Sequence, residues 1–482
     1  MGKIQRLAGE TVLYGLGSIL PRFLSFLLVR LHTDSDVFTP EEYGIITNLY
    51  AWVAVVNIVF VFGMETAYFR FANQPAQSEK RIFDLAQTVV LVISAILSVV
   101  CIILADPIGE TLEVGGRTDL VIWLVVIMFI DAIAAIPFAR LRLQKKALRF
   151  ATGKLINIAI LVVLNVYFLK WSDTLEPDVS LVVLANLLAN AFYLFFFGRY
   201  LLSWRPAYDK TISPAMYSYA YPIMLTGLAG MTNEMFSRIT LGKWLPEGFY
   251  PGRSQEYALG IFGACYKLAV LMNLAITAFR YAAEPFFFSN ASEKNSPQLF
   301  ARVNHYFVLV CCVILLGVSI NLDILKYFLG DPAYWEGLHI VPILLLAYLF
   351  LGMYYNFSVW FKLTDKTYYG TIITIIGMII TIGANYILIP FWGYEGSAVA
   401  ALLCYAGMTA ICYLLGQRFY PIPYAVVKAL LYIGVTLILV YAVNALHFES
   451  QVLATTFHMA VVIAYLIVIY LIEGKDLNLK RA

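Results

Sequence analysis

Apolar stretches of about 20 residues recur from one end of the 482-residue chain to the other, and about 20 residues is the length an α-helix needs to cross a hydrocarbon core of about 30 Å. Lipid offers no partner for backbone N–H and C=O groups, so stretches of this kind cross as helices that satisfy their own hydrogen bonds. The pattern reads as about fourteen spans, near 11–32, 43–68, 82–105, 119–139, 152–170, 179–198, 217–243, 257–286, 303–325, 337–361, 367–389, 394–416, 424–446 and 451–472. The chain is 61% hydrophobic and 13% charged, outside the range of soluble domains. The expected fold class is an all-α polytopic membrane protein. The longest loops, near 199–216 and 287–302, are too short for an extramembrane catalytic domain.

Lys3 and Arg6 precede the first apolar stretch as in a signal peptide. That stretch runs on to about Leu31 through Pro21 and Arg22, with no small-residue cleavage site after it, and reads as a retained first helix. A net charge of +3 is too small to indicate nucleic acid as a partner; the distribution of charge says more. Alternate loops differ in sign. One set carries Lys80, Arg81, Arg140, Arg142, Lys145, Lys146, Arg149, Arg199, Arg205, Lys210, Lys294, Lys362, Lys366, Arg418, Lys475, Lys480 and Arg481 together with Lys3 and Arg6. The other carries Asp34, Asp36, Glu41, Glu42, Glu110, Glu113, Asp173, Glu176, Asp178, Asp331, Glu336, Glu395 and Glu449. Cytoplasmic loops collect Lys and Arg, so both termini are expected in the cytoplasm.

The six cysteines all fall inside apolar stretches without CxxC spacing, and the five histidines are scattered. Neither disulfides, a metal site nor a catalytic triad is expected. No Walker sequence is present, and no cofactor is implied.

The chain also resembles itself. Offset by about 216 residues, Gly44 falls on Gly260, Ile45 on Ile261, Tyr50 on Tyr266, Asn57 on Asn273, Ala67 on Ala283 and Phe71 on Phe287. With one residue of gap, Phe83 meets Phe300 and Asp106 meets Asp323. The offset equals about six spans, an even number, so the halves face the same way. Parallel repeats with a site at their interface are expected: an N-lobe over 1–210, a C-lobe over 211–420, and an appended helical pair over 421–482.

Ionisable residues inside the spans are concentrated rather than scattered. Arg22 and Arg30 lie in span one, Glu65 and Arg70 toward the end of span two, Glu234, Arg238 and Lys243 in span seven, and Lys267, Arg280 and Glu284 in span eight. An Arg or Lys at a helix centre costs about 2.5 to 3.5 kcal/mol on the insertion scale, so such a group implies a wet or protein-lined path. These four spans are the first pair of each half, and the charges are expected to converge on one central cavity. Arg30, Arg70 and Lys243 sit near span ends, where snorkelling to a headgroup is the competing reading. Glu234 with Arg238, and Arg280 with Glu284, are spaced to pair along their own helices. Asp131, among alanines in span four, is a possible ion or proton site or a satisfied interhelical hydrogen bond. Pro21, Pro222, Pro285 and Pro342, within or at the edges of spans, mark places where helices can bend.

A cationic cavity suits an anion, and guanidinium groups match phosphate oxygens in a bidentate way. A lipid-linked sugar presents this problem, since its diphosphate and glycan cannot enter hydrocarbon unpaired while its tail can stay in the bilayer.

The segments LAGETVLYGLGSILPRFLSFLLVRL, FTPEEYGIITNLYAWVAVVNIVFVFGMETAYFRF and YALGIFGACYKLAVLMNLAITAFRYAAEPF resemble the polysaccharide transporter (Wzx-type flippase) branch of the multidrug, oligosaccharidyl-lipid and polysaccharide exporter superfamily. The resemblance runs over essentially the whole chain through diffuse patterns rather than invariant signatures. It implies two six-helix lobes around a cavity formed mainly by spans one, two, seven and eight, rocking between inward-open and outward-open states. It further implies a bacterial inner-membrane location and undecaprenyl-diphosphate-linked oligosaccharide as cargo, with a glycan polymerase and glycosyltransferases as partners. Arg22, and by position Arg238, Lys267 and Arg280, resemble the cavity cations of such flippases. A lipid II flippase is the nearest alternative in chemistry. A cation-coupled multidrug exporter is expected to carry an acidic residue in span one, whose interior here has Arg22 and no Asp or Glu. A membrane glycan polymerase or ligase is expected to have a long external loop, which is missing.

Overall fold

The computed structural model describes the backbone at 3–74, 77–172, 174–291, 293, 295–446, 448 and 450–478, and the side chains there except at 3–16, 18 and 475–478. Of the charges in the alternating loops, Lys3, Arg6, Asp173, Lys294, Glu449, Lys475, Lys480 and Arg481 lie outside the described residues or have side chains that do, as does His447. No strand occurs among the described residues. The principal helices are α1 (Lys3–His32), α2 (Pro40–Val61), α3 (Met64–Ala72), α4 (Glu79–Ile103), α5 (Thr118–Leu143), α6 (Ala147–Val166), α7 (Val179–Phe196), α8 (Ile212–Trp244), α9 (Gln255–Asn290), α10 (Ser296–Ile320), α11 (Val341–Phe357), α12 (Tyr368–Phe419), α13 (Val426–Asn444) and α14 (Gln451–Asn478).

Eleven helices among the described residues are long and apolar enough to cross a membrane by length and composition. One of these, α12, has 52 residues and is broken at Gly393, where φ is 55° and ψ is −131°. The helices α1 and α8, with 30 and 33 residues, are long enough but less apolar. Fourteen crossings result only if α12 counts as two and α1 and α8 both cross. Both carry polar residues within the helix, among them Arg22 and Ser25 in α1 and Asn233, Glu234 and Arg238 in α8.

Local sequence explains the helix ends that matter most. At the start of α2, Thr39 and Glu42 form a reciprocal capping box with Pro40 in the first turn, so two orphan donors are satisfied where the chain re-enters the bundle. Phe62 and Gly63 both have positive φ, and they separate α2 from α3. A Cβ at Gly63 would stand 2.6 Å from the Ala220 carbonyl oxygen of α8, so glycine serves both the turn and the close approach.

The apolar interior falls into two large cores and a small third cluster around Phe287 and Phe300. One is built from residues of α2 to α8, with Phe60, Tyr68, Phe83 and Ile136 fully buried. The other runs from α8 to α14 around Phe262, Tyr334, Tyr348 and Trp360. The two halves meet along α2 against α9, with α8 packing on α2 and α3, and α1 touching α9. Glycine lets the α2–α9 crossing close: a Cβ at Gly44 would run into the Glu256 carbonyl oxygen, and one at Gly260 into that of Pro40. The contact is reciprocal. Gly44 and Gly260, and Pro40 and Glu256, are equivalent under the 216-residue offset, so each half presents the same patch to the other, as across a two-fold axis.

The crossing seals the end of the bundle where α2 and α9 begin. There Gly330 N–H donates to Thr33 Oγ1 at 2.8 Å, and Phe26 stacks on Phe328 with ring centroids 4.3 Å apart. At the opposite end Arg70 lies over the ring of Tyr219 at 4.1 Å. Ion pairs follow the same division. Lys170–Asp34 (3.1 Å), Arg117–Asp178 (2.6 Å) and His339–Glu395 (2.8 Å) join helical segments and loops at the sealed end. Arg140–Glu79 (2.7 Å), Lys362–Glu284 (2.5 Å) and Arg81–Asp209 join helix ends and loops at the other. The appended pair is tied to α10 at that same end, where buried Glu473 accepts from Lys428 (2.8 Å) and Tyr432 (2.5 Å) and lies 3.1 Å from His305.

Candidate functional site

Just inside the sealed end, a cavity of about 290 Å³ opens between the halves. Its wall from the second half carries Arg238 of α8 and Lys267 of α9. Its wall from the first half comes from α1, α2, α6 and α7. The Arg238 guanidinium lies 3.8 Å from the Tyr266 ring centroid and donates from Nη1 to Met235 Sδ at 3.0 Å, a placement that holds the charge at the cavity wall. Glu234 is one helical turn from Arg238 and an electrostatic neighbour of Lys267 and Tyr266. Among the described residues, no carboxylate forms an ion pair with Arg238 or Lys267, so the pairing of Glu234 with Arg238 that their spacing allows is not made.

A second cationic group lies farther from the seal. Arg280 stacks on Tyr355 of α11 at 3.8 Å, and the Tyr355 hydroxyl feels the charges of Arg280, Glu234, Arg22 and Glu284 together. Arg22, on α1, has an exposed side chain and is an electrostatic neighbour of Tyr355. The offset that superimposes the halves also places Arg22 on Arg238, in the equivalent helices α1 and α8.

The remaining candidates are held elsewhere. Glu284 pairs with Lys362 at 2.5 Å rather than with Arg280. Glu65 pairs with Arg142 of α5, and Arg70 covers Tyr219. Lys243 reaches to 5.5 Å from the Trp52 ring at the sealed end. Arg30 is exposed near the end of α1, where its charge acts on Asp34. Asp131 lies inside the first half: Asn190 donates to it at 3.1 Å and is itself held by Asn157 at 2.9 Å. Lys154 is an electrostatic neighbour, its amine 4.2 Å from the Phe138 ring. Of the candidates, Arg22, Glu234, Arg238, Lys267 and Arg280 gather along the interface between halves.

The polar wall opposite the cations was not singled out in the sequence. His32 and Asn165 bond at 2.8 Å, and Asn186 donates to the Tyr50 hydroxyl at 3.0 Å; all four line the cavity. Uncharged and far apart in sequence, they give no signal beyond being polar residues in apolar stretches. Only Tyr50 was marked, through its repeat partner Tyr266.

Taken together, the site offers paired cations on one wall and hydrogen-bonding groups on the other, in a fold whose two similar halves meet at a glycine-lined crossing. That defines the class: a two-lobed, all-helical membrane protein with its polar cavity at the lobe interface, the fold of the multidrug, oligosaccharidyl-lipid and polysaccharide exporters. The chain belongs to the polysaccharide biosynthesis protein family, whose description matches residues 36–314, more than half of its length. Among solved structures, it is similar to the lipid II flippase MurJ in an inward closed conformation (TM-score 0.74, 13% identity, 97% of this chain and 99% of that chain covered). It is also similar to an inward-facing multidrug resistance MATE family transporter (TM-score 0.63, 15% identity, 87% and 98% covered). No curated protein sequence matches the chain.

Proposed function

We propose that the chain is a flippase for undecaprenyl-diphosphate-linked oligosaccharide, carrying it from the cytoplasmic to the outer leaflet of a bacterial inner membrane. The observation that carries this reading is the gathering of Arg22, Arg238, Lys267 and Arg280 at the junction of the halves, without carboxylate partners within ion-pair distance. Such cations answer a diphosphate that must cross hydrocarbon. Lobes 1–210 and 211–420 rock as units about the α2–α9 crossing, both termini lie in the cytoplasm, and a polymerase and glycosyltransferases act before and after transport. An inside-negative potential favours outward movement of a negative headgroup by about 2.3 kcal/mol per charge per 100 mV across the whole field. Asp131 beside Lys154 is the candidate for a coupled proton; Asp131→Asn should abolish any response of transport to a pH gradient while leaving substrate binding intact.

The likeness to the lipid II flippase favours one second reading, lipid II itself as cargo. One experiment separates the two. In a deletion strain, the lipid-linked intermediate that accumulates on the cytoplasmic side names the cargo: an oligosaccharide on undecaprenyl diphosphate supports the proposal, and lipid II replaces it. In complemented cells, Arg22→Ala or Lys267→Ala should lower export at least about tenfold, the effect of losing a charge-assisted hydrogen bond, at unchanged protein level. Full export in both variants removes the diphosphate cradle.

A further inference from the structure

At the sealed end, away from the lobe interface, a cavity of about 520 Å³ lies where the end of α10 meets the end of α13 and the start of α14. Three side chains that line it have buried polar atoms without a hydrogen-bond partner among the described residues: both carboxylate oxygens of Asp323, Nδ1 of His458 and Oγ of Ser319. His458 is only 6% exposed, and Ser319 is fully buried. A carboxylate withdrawn from water without hydrogen bonds is costly, so Asp323 calls for a counterion.

The equivalent position in the first half is satisfied differently. Asp106 is exposed and accepts from Thr118 Oγ1. Where the repeat would put Thr118 the second half has Trp335, whose Nε1 donates to the Lys326 carbonyl oxygen at 3.0 Å. The Lys326 ammonium lies 4.4 Å from the Trp335 ring and makes no ion pair with Asp323 among the described residues. Asp323 instead faces His458 of α14, which belongs to the appended pair. Phe448 stands edge-on to the imidazole, with ring centroids 5.8 Å apart, and Nδ1 is 3.5 Å from Asp323 Oδ1. A charge-assisted N–H···O bond is about 2.7–2.9 Å long, so the pair is too far apart for one. Two ligands of one tetrahedral ion, each bound at about 2.0–2.2 Å, stand about 3.4 Å from each other.

We propose that Asp323 and His458 bind a divalent transition-metal ion of the zinc class, which ties the start of α14 to the end of α10. Imidazole beside carboxylate selects such an ion over magnesium or calcium, which take oxygen ligands. No group of three or more His, Cys, Asp or Glu side chains that could hold a metal occurs among the described residues. The ion therefore has two strong protein ligands and water in its other positions, with Ser319, Asn444 and Gln451 in the same cavity to bond that water. Such a site exchanges its ion with solvent, unlike a closed structural site of four protein ligands. At its other end α14 is held through Glu473 to Lys428 and Tyr432, so metal occupancy sets how firmly the appended pair is fixed to the second lobe. The site is independent of what the lobe interface carries.

The test uses the full-length, tag-free protein in lipid nanodiscs, stripped with a chelator and titrated with Zn2+ alone against a chromophoric competitor. One ion should bind per chain and raise the midpoint of thermal unfolding, and chelation should reverse the rise. Excess Mg2+ should not compete. Asp323→Asn and His458→Gln should each weaken binding at least about a hundredfold, more than loss of an outer-shell partner costs. His458→Cys keeps a metal ligand and should retain binding, which separates loss of the ligand from loss of folding. Co2+ should give the strong visible absorption of a tetrahedral site in wild type, and a thiolate charge-transfer band only in His458→Cys. A wild type that binds no Zn2+ overturns the proposal and leaves Asp323 and His458 as an ion pair. Binding undiminished in both Asp323→Asn and His458→Gln places the ion elsewhere and overturns it as well.

Discussion

Lys267 and Glu284 lie on the same helix and carry opposite charges, yet the fold treats them differently. Glu284 pairs with Lys362 from the end of a neighbouring helix, whereas Lys267 lines the cavity with no carboxylate in ion-pair distance among the described residues. Positions of the charges were legible along the chain, because an ionisable residue stands out in an apolar run. Their partners were not: Arg142 for Glu65 and Lys362 for Glu284 come from distant segments, and spacing along one helix pointed instead to Arg280. Another residue-level feature emerges at the seal, where Glu113 of the first half faces Glu256 and Lys243 of the second. Burial pushes the Glu113 carboxyl up, the Glu256 charge adds to this, and Lys243 opposes it. A raised carboxyl favours the protonated form, so its effect on the sealed arrangement is absent below the ordinary glutamate value and becomes destabilising as pH rises through the shifted one. Spin-label distances across the seal should therefore lengthen with rising pH through that window and stay constant in Glu113→Gln. A wild-type distance that does not change with pH would remove the role given to Glu113.

At the level of elements, the α2–α9 crossing joins the two halves through close backbone contact. Gly44 and Gly260 were visible in the sequence as equivalent positions in a repeat, but not as facing one another. Equivalence under a repeat leaves open which helices an interface is made from, and only docking of the halves brings the two glycines together. Adding a side chain there forces backbone against backbone, where overpacking typically costs about 1–3 kcal/mol. Gly260→Val should therefore open the seal. A cysteine placed at position 47, on the cavity side of the crossing, should react faster with a membrane-impermeant thiol reagent from the sealed side in this variant than in the parent. An unchanged rate would mean that the crossing is not what closes that end. Pro285 in α9 and Pro222 in α8 lie toward the other end, where bending leaves the crossing intact.

For the whole molecule, the proposed motion is of lobe against lobe, since the two large cores are joined along a reciprocal crossing. A disulfide across the seal tests this directly. Cysteines at positions 26 and 328, which replace the stacked rings of Phe26 and Phe328, should stop transport when oxidised and release it on reduction; transport that continues through a complete cross-link rules out opening at that end. Orientation has its own check. A cysteine at position 176 should be labelled from outside the cell and one at position 146 protected; the opposite result inverts the topology.

The all-helical, polytopic character followed from the chain alone, because hydrocarbon leaves a backbone no other way to satisfy its hydrogen bonds, and apolar length reports that constraint residue by residue. The alternation of loop charge and the 216-residue repeat were likewise local properties of the string. Closure of the seal, the choice between Lys362 and Arg280 for Glu284, and the neutral wall of His32, Asn165, Asn186 and Tyr50 were decided by the tertiary structure. Each depends on which helix faces which. In a membrane, where lipid is as apolar as the helix surfaces, that choice is made by close packing and polar pairing between segments far apart in sequence.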